Sequence, residues 1–246
     1  MTAHVSSFTL DHSAFAGRTG RGVRVAVVDS GIHASHAHIG GTLPGVRITD
    51  AEEDDDTSDR IGHGTAVAAA IREKAPGIDL VPIRVFDRTL DTTARTLARA
   101  ILAATARGAR LINVSMGTKN AGHQDVLQAA VDEALRNGAL VVAPRAADGV
   151  PSWPGALEGA VGVEADAACA RDALRLVQQD DGRFVFRASG LPRPIPGVPP
   201  ARNLQGVSFA AANVSGFLAR IVETEPALTS VQMIAVHLRR CSTQST

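Results

Sequence analysis

Five apolar runs of strand length, separated by helix-patterned segments, limit the fold of this chain more than any other feature. They are VRVAVV (Val23–Val28), IDLVPIRVF (Ile78–Phe86), ARLINVSMG (Ala109–Gly117), ALVVAP (Ala139–Pro144) and GAVGVEA (Gly159–Ala165). Their near-continuous apolar character fits strands covered on both faces, as in a parallel sheet. Between them, HGTAVAAAIREKAP opens at His63 and is stopped by Pro76. A second helix is expected over Thr92–Arg107 with Gly108 as its C-terminal cap, and a third over Gln124–Asn137 followed by Gly138. Strands alternating with helices predict an α/β fold with a mainly parallel central sheet and helices on both faces.

The two ends read differently. Residues 1–22 are polar and finish in GRTGRG, which predicts a flexible N-terminal lead-in. Residues 23–246 read as one domain, long enough to bury a sizeable core. RLVQQDDGRFVFRA predicts a hairpin turning at Asp180–Gly182. LPRPIPGVPPARN predicts a proline-rich surface connection, and helices are expected from Ser208 to about Glu223 and from Ser230 to Arg240. The acidic run AEEDDDTSD (Ala51–Asp59) reads as a solvated loop. A cation site would need wrapped oxygen ligands that this run does not specify.

Composition narrows function by exclusion. Acidic and basic residues balance at 25 each, so no overall field favours nucleic acid or a membrane surface. Tyrosine is absent and Trp153 is the single tryptophan, which leaves few platforms for stacking bases. No run approaches the roughly 18 apolar residues of a membrane span. The start MTAHVSSFTLDHSAF lacks the basic-then-apolar pattern of a secretion signal. Cys169 and Cys241 form no metal-ligand cluster, and two free thiols are the simpler reading, with one bridge as the alternative. The expectation is a cytoplasmic protein with no metal and no cofactor; nothing specifies an oligomeric state. In TGRGVRVAVVDSG the glycines precede the strand, so no phosphate loop forms at the strand-to-helix turn.

Three polar residues stand where apolar elements end. Asp29 follows the first strand, at the sheet edge where open α/β folds place their sites. His63 and Ser208 each begin a helix. Singly, each has a plain structural reading, as a cap or a helix-start residue. Together, the order Asp, His, Ser, each in a glycine-containing motif, is one of the orders in which serine catalytic triads occur. VAVVDSGIHASHAHI, HGTAVAA, INVSMG and GVSFAAANVSG follow one another from about Gly22 to Arg220. In that order they resemble the Asp motif, the HGTHVAG motif, the substrate-binding strand and the GTSMAxPHVAG serine motif of the subtilases.

The resemblance implies a three-layer subtilisin-like fold and a serine peptidase. Ser208 would be the nucleophile, His63 the general base and acid, and Asp29 the partner that orients the imidazole and stabilises its charged form. Ser115, Met116 and Gly117 match the strand edge that pairs with an extended peptide substrate through main-chain hydrogen bonds. Pro144, Arg145 and Ala146 fall, by resemblance, on the wall of the specificity pocket. An Arg145 there would select an acidic side chain, the alternative being a solvent-pointing arginine at a loop start.

The chain also departs from the family. After the strand the family carries AAGN, whose asparagine amide donates to the oxyanion. Counting from Gly138 without a gap, Ala147 takes that position and Asp148 the next. Loss of this amide costs subtilisin itself about 10²–10³ in turnover. Three replacements are conceivable: a protonated Asp148 brought in by a bulge, the cation of Arg145, or an asparagine from elsewhere such as Asn120 or Asn213. Val207, Ala212, Asn213 and Ala66 are milder departures, and IREKAPGIDL runs from helix to strand without the insertion that holds calcium in many secreted members. No long inhibitory propeptide is expected. Two functions follow: a specialised processing peptidase, such as a leader-removing or maturation enzyme, or an impaired relative that binds peptides without cutting them.

Overall fold

The computed structural model describes residues 7–243, with the side chains of His12 and of residues 241–243 outside that description. The strands are β1 (Ser7–Asp11), β2 (Arg24–Asp29), β3 (Val46–Ile48), β4 (Glu53–Asp54), β5 (Asp79–Arg84), β6 (Leu111–Val114), β7 (Leu140–Pro144), β8 (Ala146–Ala147), β9 (Val150–Pro151), β10 (Val161–Ala165), β11 (Ala173–Gln178) and β12 (Phe184–Ala188). The helices are α1 (His63–Lys74), α2 (Ala94–Ala106), α3 (Gln124–Arg136), α4 (Val207–Val222) and α5 (Val231–Thr243). Ten strands form one sheet in the order β1-β11-β12-β10-β7-β6-β2-β5-β3-β4. The run from β12 to β3 is parallel, and antiparallel pairs close it at both ends.

Burial on both faces explains the unbroken apolar strands. In β2, Val25 and Val27 enter the core shared with α1 and α4, while Ala26 and Val28 enter the core shared with α2 and α3. The same parity holds in β7, with Leu140 and Val142 toward α4 and Val141 and Ala143 toward α3. The result is three layers, helix, sheet and helix, as the alternation of elements predicts. Alanines 68 to 70 and 210 to 212 are all buried, and these small side chains let α1 and α4 pack closely together.

Two expectations need correction. Part of the N-terminal lead-in is structural: β1 pairs antiparallel with β11, and Leu10 and Phe15 are buried. The acidic run is not simply solvated. Arg47 pairs with Glu52 and Asp54, Arg99 with Glu53, and Arg60 and the fully buried Arg84 with Asp56. The hairpin after β11 turns through Gly182, at a φ of +82°. Cys169 is a free thiol, and the Cys241 side chain lies outside the described residues. Among the described residues no helix is long and apolar enough to cross a membrane.

Candidate active site

β2 lies between β5 and β6, so the connections flanking it leave toward opposite sides. That divergence opens a crevice at the carboxyl end of the strand. Asp29 ends β2 there, fully buried, and its Oδ1 accepts from the Ser30 N–H at 2.7 Å. His63 is the first residue of α1 and Ser208 the second of α4, so packing of the two helices brings both side chains to Asp29. His63 Nδ1 lies 2.8 Å from Asp29 Oδ1 and 3.0 Å from Oδ2, and its Nε2 lies 3.3 Å from Ser208 Oγ. The ring also packs on Phe209, with centroids 5.7 Å apart. An ionised Asp29 fixes the proton on Nδ1, leaving Nε2 free to accept from the serine. Gly64 is required beside this line. A Cβ there would stand 2.2 Å from the Gly31 carbonyl and 3.1 Å from Asp29 Cβ.

A fourth polar residue organises the site, and sequence reasoning left it in the solvated run. α1 has no side-chain cap at Gly62. Asp59 supplies one from upstream. Its Oδ1 accepts from the N–H groups of Ile61 (3.0 Å) and Gly62 (2.7 Å), and its Oδ2 from the Thr65 N–H (2.8 Å) and hydroxyl (2.6 Å). The Ser30 hydroxyl donates to Oδ1 at 2.8 Å. These donors include helix-start groups that would otherwise lack acceptors. Burial would raise the carboxyl pKa, but the bonds from Thr65, Gly62 and Ile61 outweigh it and hold Asp59 below the usual range. Its position four residues before His63, ahead of an uncapped glycine start, is the local signal for this role.

His63 feels opposing influences. Burial, the largest, lowers its pKa, but the hydrogen bond it donates to Asp29 and the charges of Asp29 and Asp59 together raise it above its ordinary value. Such an imidazole is a stronger base than a free one.

The segment after β7 is a hairpin. β8 pairs with β9, with Ala147 opposite Val150, and Asp148 and Gly149 turn the chain at φ of +53° and +75°. Positive φ at both central residues is the signature of the tightest hairpin turns. Asp148 sits at the exposed tip, paired with Lys119 at 2.7 Å, and that hydrogen bond and charge keep its carboxyl below the usual range. It is ionised, so the protonated-donor role does not fit it. Arg145 follows Ala143 in strand parity and so leaves the sheet on the face opposite α4. Its guanidinium reaches Glu164 (3.5 Å) and Gln179 (3.4 Å), away from Ser208. With these partners the arrangement gives no support to Arg145 as an oxyanion donor or as a selector of acidic side chains. Asn213 Nδ2 is committed to the carbonyls of Ser189 (2.9 Å) and Leu191 (3.2 Å). Asn120 bonds within its own turn. Among the described residues no asparagine amide takes the place vacated at Ala147. The N–H groups of Val207 and Ser208 stand in the first turn of α4, where the helix offers no acceptor and its dipole favours negative charge.

Ser115, Met116 and Gly117 leave the end of β6 beside this crevice. Ser115 Oγ accepts from Asn113 Nδ2 (2.9 Å), and Asn113 Oδ1 accepts from Ser215 (3.0 Å), which ties the segment to α4. Beyond it, Thr118 forms a two-way bridge with Trp153. A Cβ on Gly117 would lie 2.2 Å from Ser152 Oγ, so the returning hairpin needs the glycine. Pro144, buried at the end of β7, lies on the α4 side, and Ala146 and Ala147 are half-buried.

Residues 20–161 match the family model described as the subtilase family, peptidase S8. The chain belongs to the subtilases. It is 31% identical over 92% of its length to the alkaline elastase YaB of Bacillus sp. (strain YaB), of which it covers 61%. The subtilase chain thus spans about three fifths of that relative. Among solved structures it is similar to sphericase, with a TM-score of 0.67, 23% identity, and coverage of 87% of this chain and 81% of that one. It is also similar to the prenylagaramide maturation protease PagA, with a TM-score of 0.60, 27% identity, and coverage of 83% and 77%.

Proposed function

We propose that this subtilase is a serine endopeptidase in which Asp29, His63 and Ser208 act as a catalytic triad on an extended peptide, in a specialised processing role. The observation that carries the reading is the hydrogen-bonded line from Asp29 through His63 to Ser208, at 2.8 and 3.3 Å. Ser208 Oγ attacks the carbonyl carbon while His63 Nε2 takes its proton, and Asp29 stabilises the imidazolium. Collapse of the tetrahedral intermediate breaks the C–N bond, and His63 returns the proton to the leaving amine. Water then releases the acyl group by the same path. The oxyanion relies on the Ser208 N–H and the start of α4, so turnover is about 10²–10³ below that of a site with the amide. The likeness to a maturation protease supports a processing role.

A second reading, peptide binding along Ser115–Gly117 without cleavage, is favoured by the empty amide position at Ala147. Labelling with a fluorophosphonate separates the two. The peptidase reading expects an adduct in the native protein and none in a folded Ser208→Ala variant. No Ser208-dependent adduct on the folded protein overturns it in favour of the binder.

A further inference from the structure

A cavity of about 440 Å³ opens beside the candidate site, walled by the turn after β2, the outer side of α1 and the proline-rich segment before α4. Its lining includes Gly62 and Thr65, which flank His63, and Leu204, four residues before Ser208. No residue of β6 or β7 contributes, so it lies on the other side of the triad from the Ser115–Gly117 edge that, in the peptidase reading, pairs with the substrate. We propose that this cavity binds the leaving side of the substrate and selects an acidic residue there, with Arg193 as its counter-charge. The inference rests on the peptidase reading for the direction in which the peptide lies.

Chemical complementarity names the occupant. Ala66, Ala69, Pro192, Ile195 and Leu204 offer apolar surface for an aliphatic stem, and Ile195 and Leu204 are exposed, at 47% and 51%. Arg193 lines the same space and has no ion-pair partner among the described residues. Its charge is felt inside: burial first, then Arg193 and then His36, hold the His38 imidazole below its ordinary range against the opposing charge of Glu73. The one carboxylate in the wall, Asp59, already accepts five hydrogen bonds and does not compete for Arg193. His33, His36 and His38 add donors and no acidic group. They do not gather as a metal site among the described residues. A glutamate side chain meets both demands, with its methylenes on the apolar wall and its carboxylate at a guanidinium that pairs in bidentate fashion.

The test uses peptides that differ only in the residues just after the cleaved bond, carrying Glu, Gln or Lys. In the native protein kcat/KM is expected to favour Glu over Gln by about five- to tenfold, as for a half-exposed charge-assisted pair, with Lys poorest. In Arg193→Gln the Glu-to-Gln ratio falls to about one, and in Arg193→Lys part of the preference returns. Equal rates for Glu and Gln in the native protein, or a preference that survives Arg193→Gln, overturn the proposal. Should no peptide be cut, fluorescence anisotropy of the same labelled peptides reads the Glu-to-Gln ratio as binding. A failed triad and a failed pocket are thereby distinguished.

Discussion

The Ser30 hydroxyl donates to Asp59 at 2.8 Å while accepting from the Gly64 N–H at 2.9 Å. Ser30 follows Asp29 and Gly64 follows His63, so this one hydroxyl couples the strand end and the helix start that carry two members of the proposed triad. Asp59 closes the arrangement by holding the first turn of α1 from beneath.

Replacing Asp59 tests that arrangement. Asp59→Asn removes a negative charge that favours protonated His63. Activity needs the neutral imidazole, so kcat/KM declines as pH drops through the His63 pKa, which in the native protein lies above its ordinary value. The acid limb of the pH profile should move to lower pH in Asp59→Asn, which a purely structural role would not produce. Asp59→Ala should also cost about 1–3 kcal/mol in urea denaturation, because it orphans helix-start donors.

Asp148→Ala should leave kcat within about twofold of the native value, since the ionised carboxylate at the hairpin tip cannot serve the oxyanion. A drop of tenfold or more would place Asp148 in the chemistry after all.

Gly64→Ala should abolish fluorophosphonate labelling and cost about 1–3 kcal/mol of stability, as expected of overpacking. The new methyl meets the Gly31 carbonyl at 2.2 Å and Asp29 at 3.1 Å, so relief must shift the strand end carrying Asp29 or the helix start carrying His63.

Arg84→Ala should cost about 1–3 kcal/mol in chemical denaturation, because it empties a fully buried site and frees the Phe86 carbonyl, while its carboxylate partners stay half-exposed. Arg84 is fully buried and donates to the Phe86 carbonyl, to Asp56 and to Asp87. Asp56 itself is held at about 2, chiefly by hydrogen bonds from the Ser58 hydroxyl and N–H, with Arg84 contributing. A depressed carboxyl pKa stabilises the fold above its unfolded value of 3.8 and loses that contribution as pH falls toward 2. Acid titration of the native protein should show stability declining through that window, and Asp56→Asn should flatten the decline.

The central strands and all five helices were legible because each declares itself locally, as an unbroken apolar run or a capped helical period. β1 was not, because SFTLD is short and its partner β11 lies some 160 residues on. The β8–β9 hairpin carried a readable Asp148–Gly149 signal, but two-residue arms are too short to show alternation. For Arg145 the parity with Ala143 was countable, yet which face of β7 carried α4 was not. The acidic run misled for a similar reason. Its arginine partners include Arg84 and Arg99, which lie some 30 to 50 residues further on.

By itself, then, the sequence determined the α/β architecture and the three motif residues, because strand burial and helix starts are written in neighbouring side chains. Tertiary structure alone decided that Asp29, His63 and Ser208 meet, that Asp59 supports them and that Arg145 turns away. Those outcomes depend on which strand lies beside β2 and which face α1 and α4 share. Both are set by packing between distant segments, from about 55 residues apart for β2 and β5 to more than 130 for α1 and α4, where no local pattern reaches.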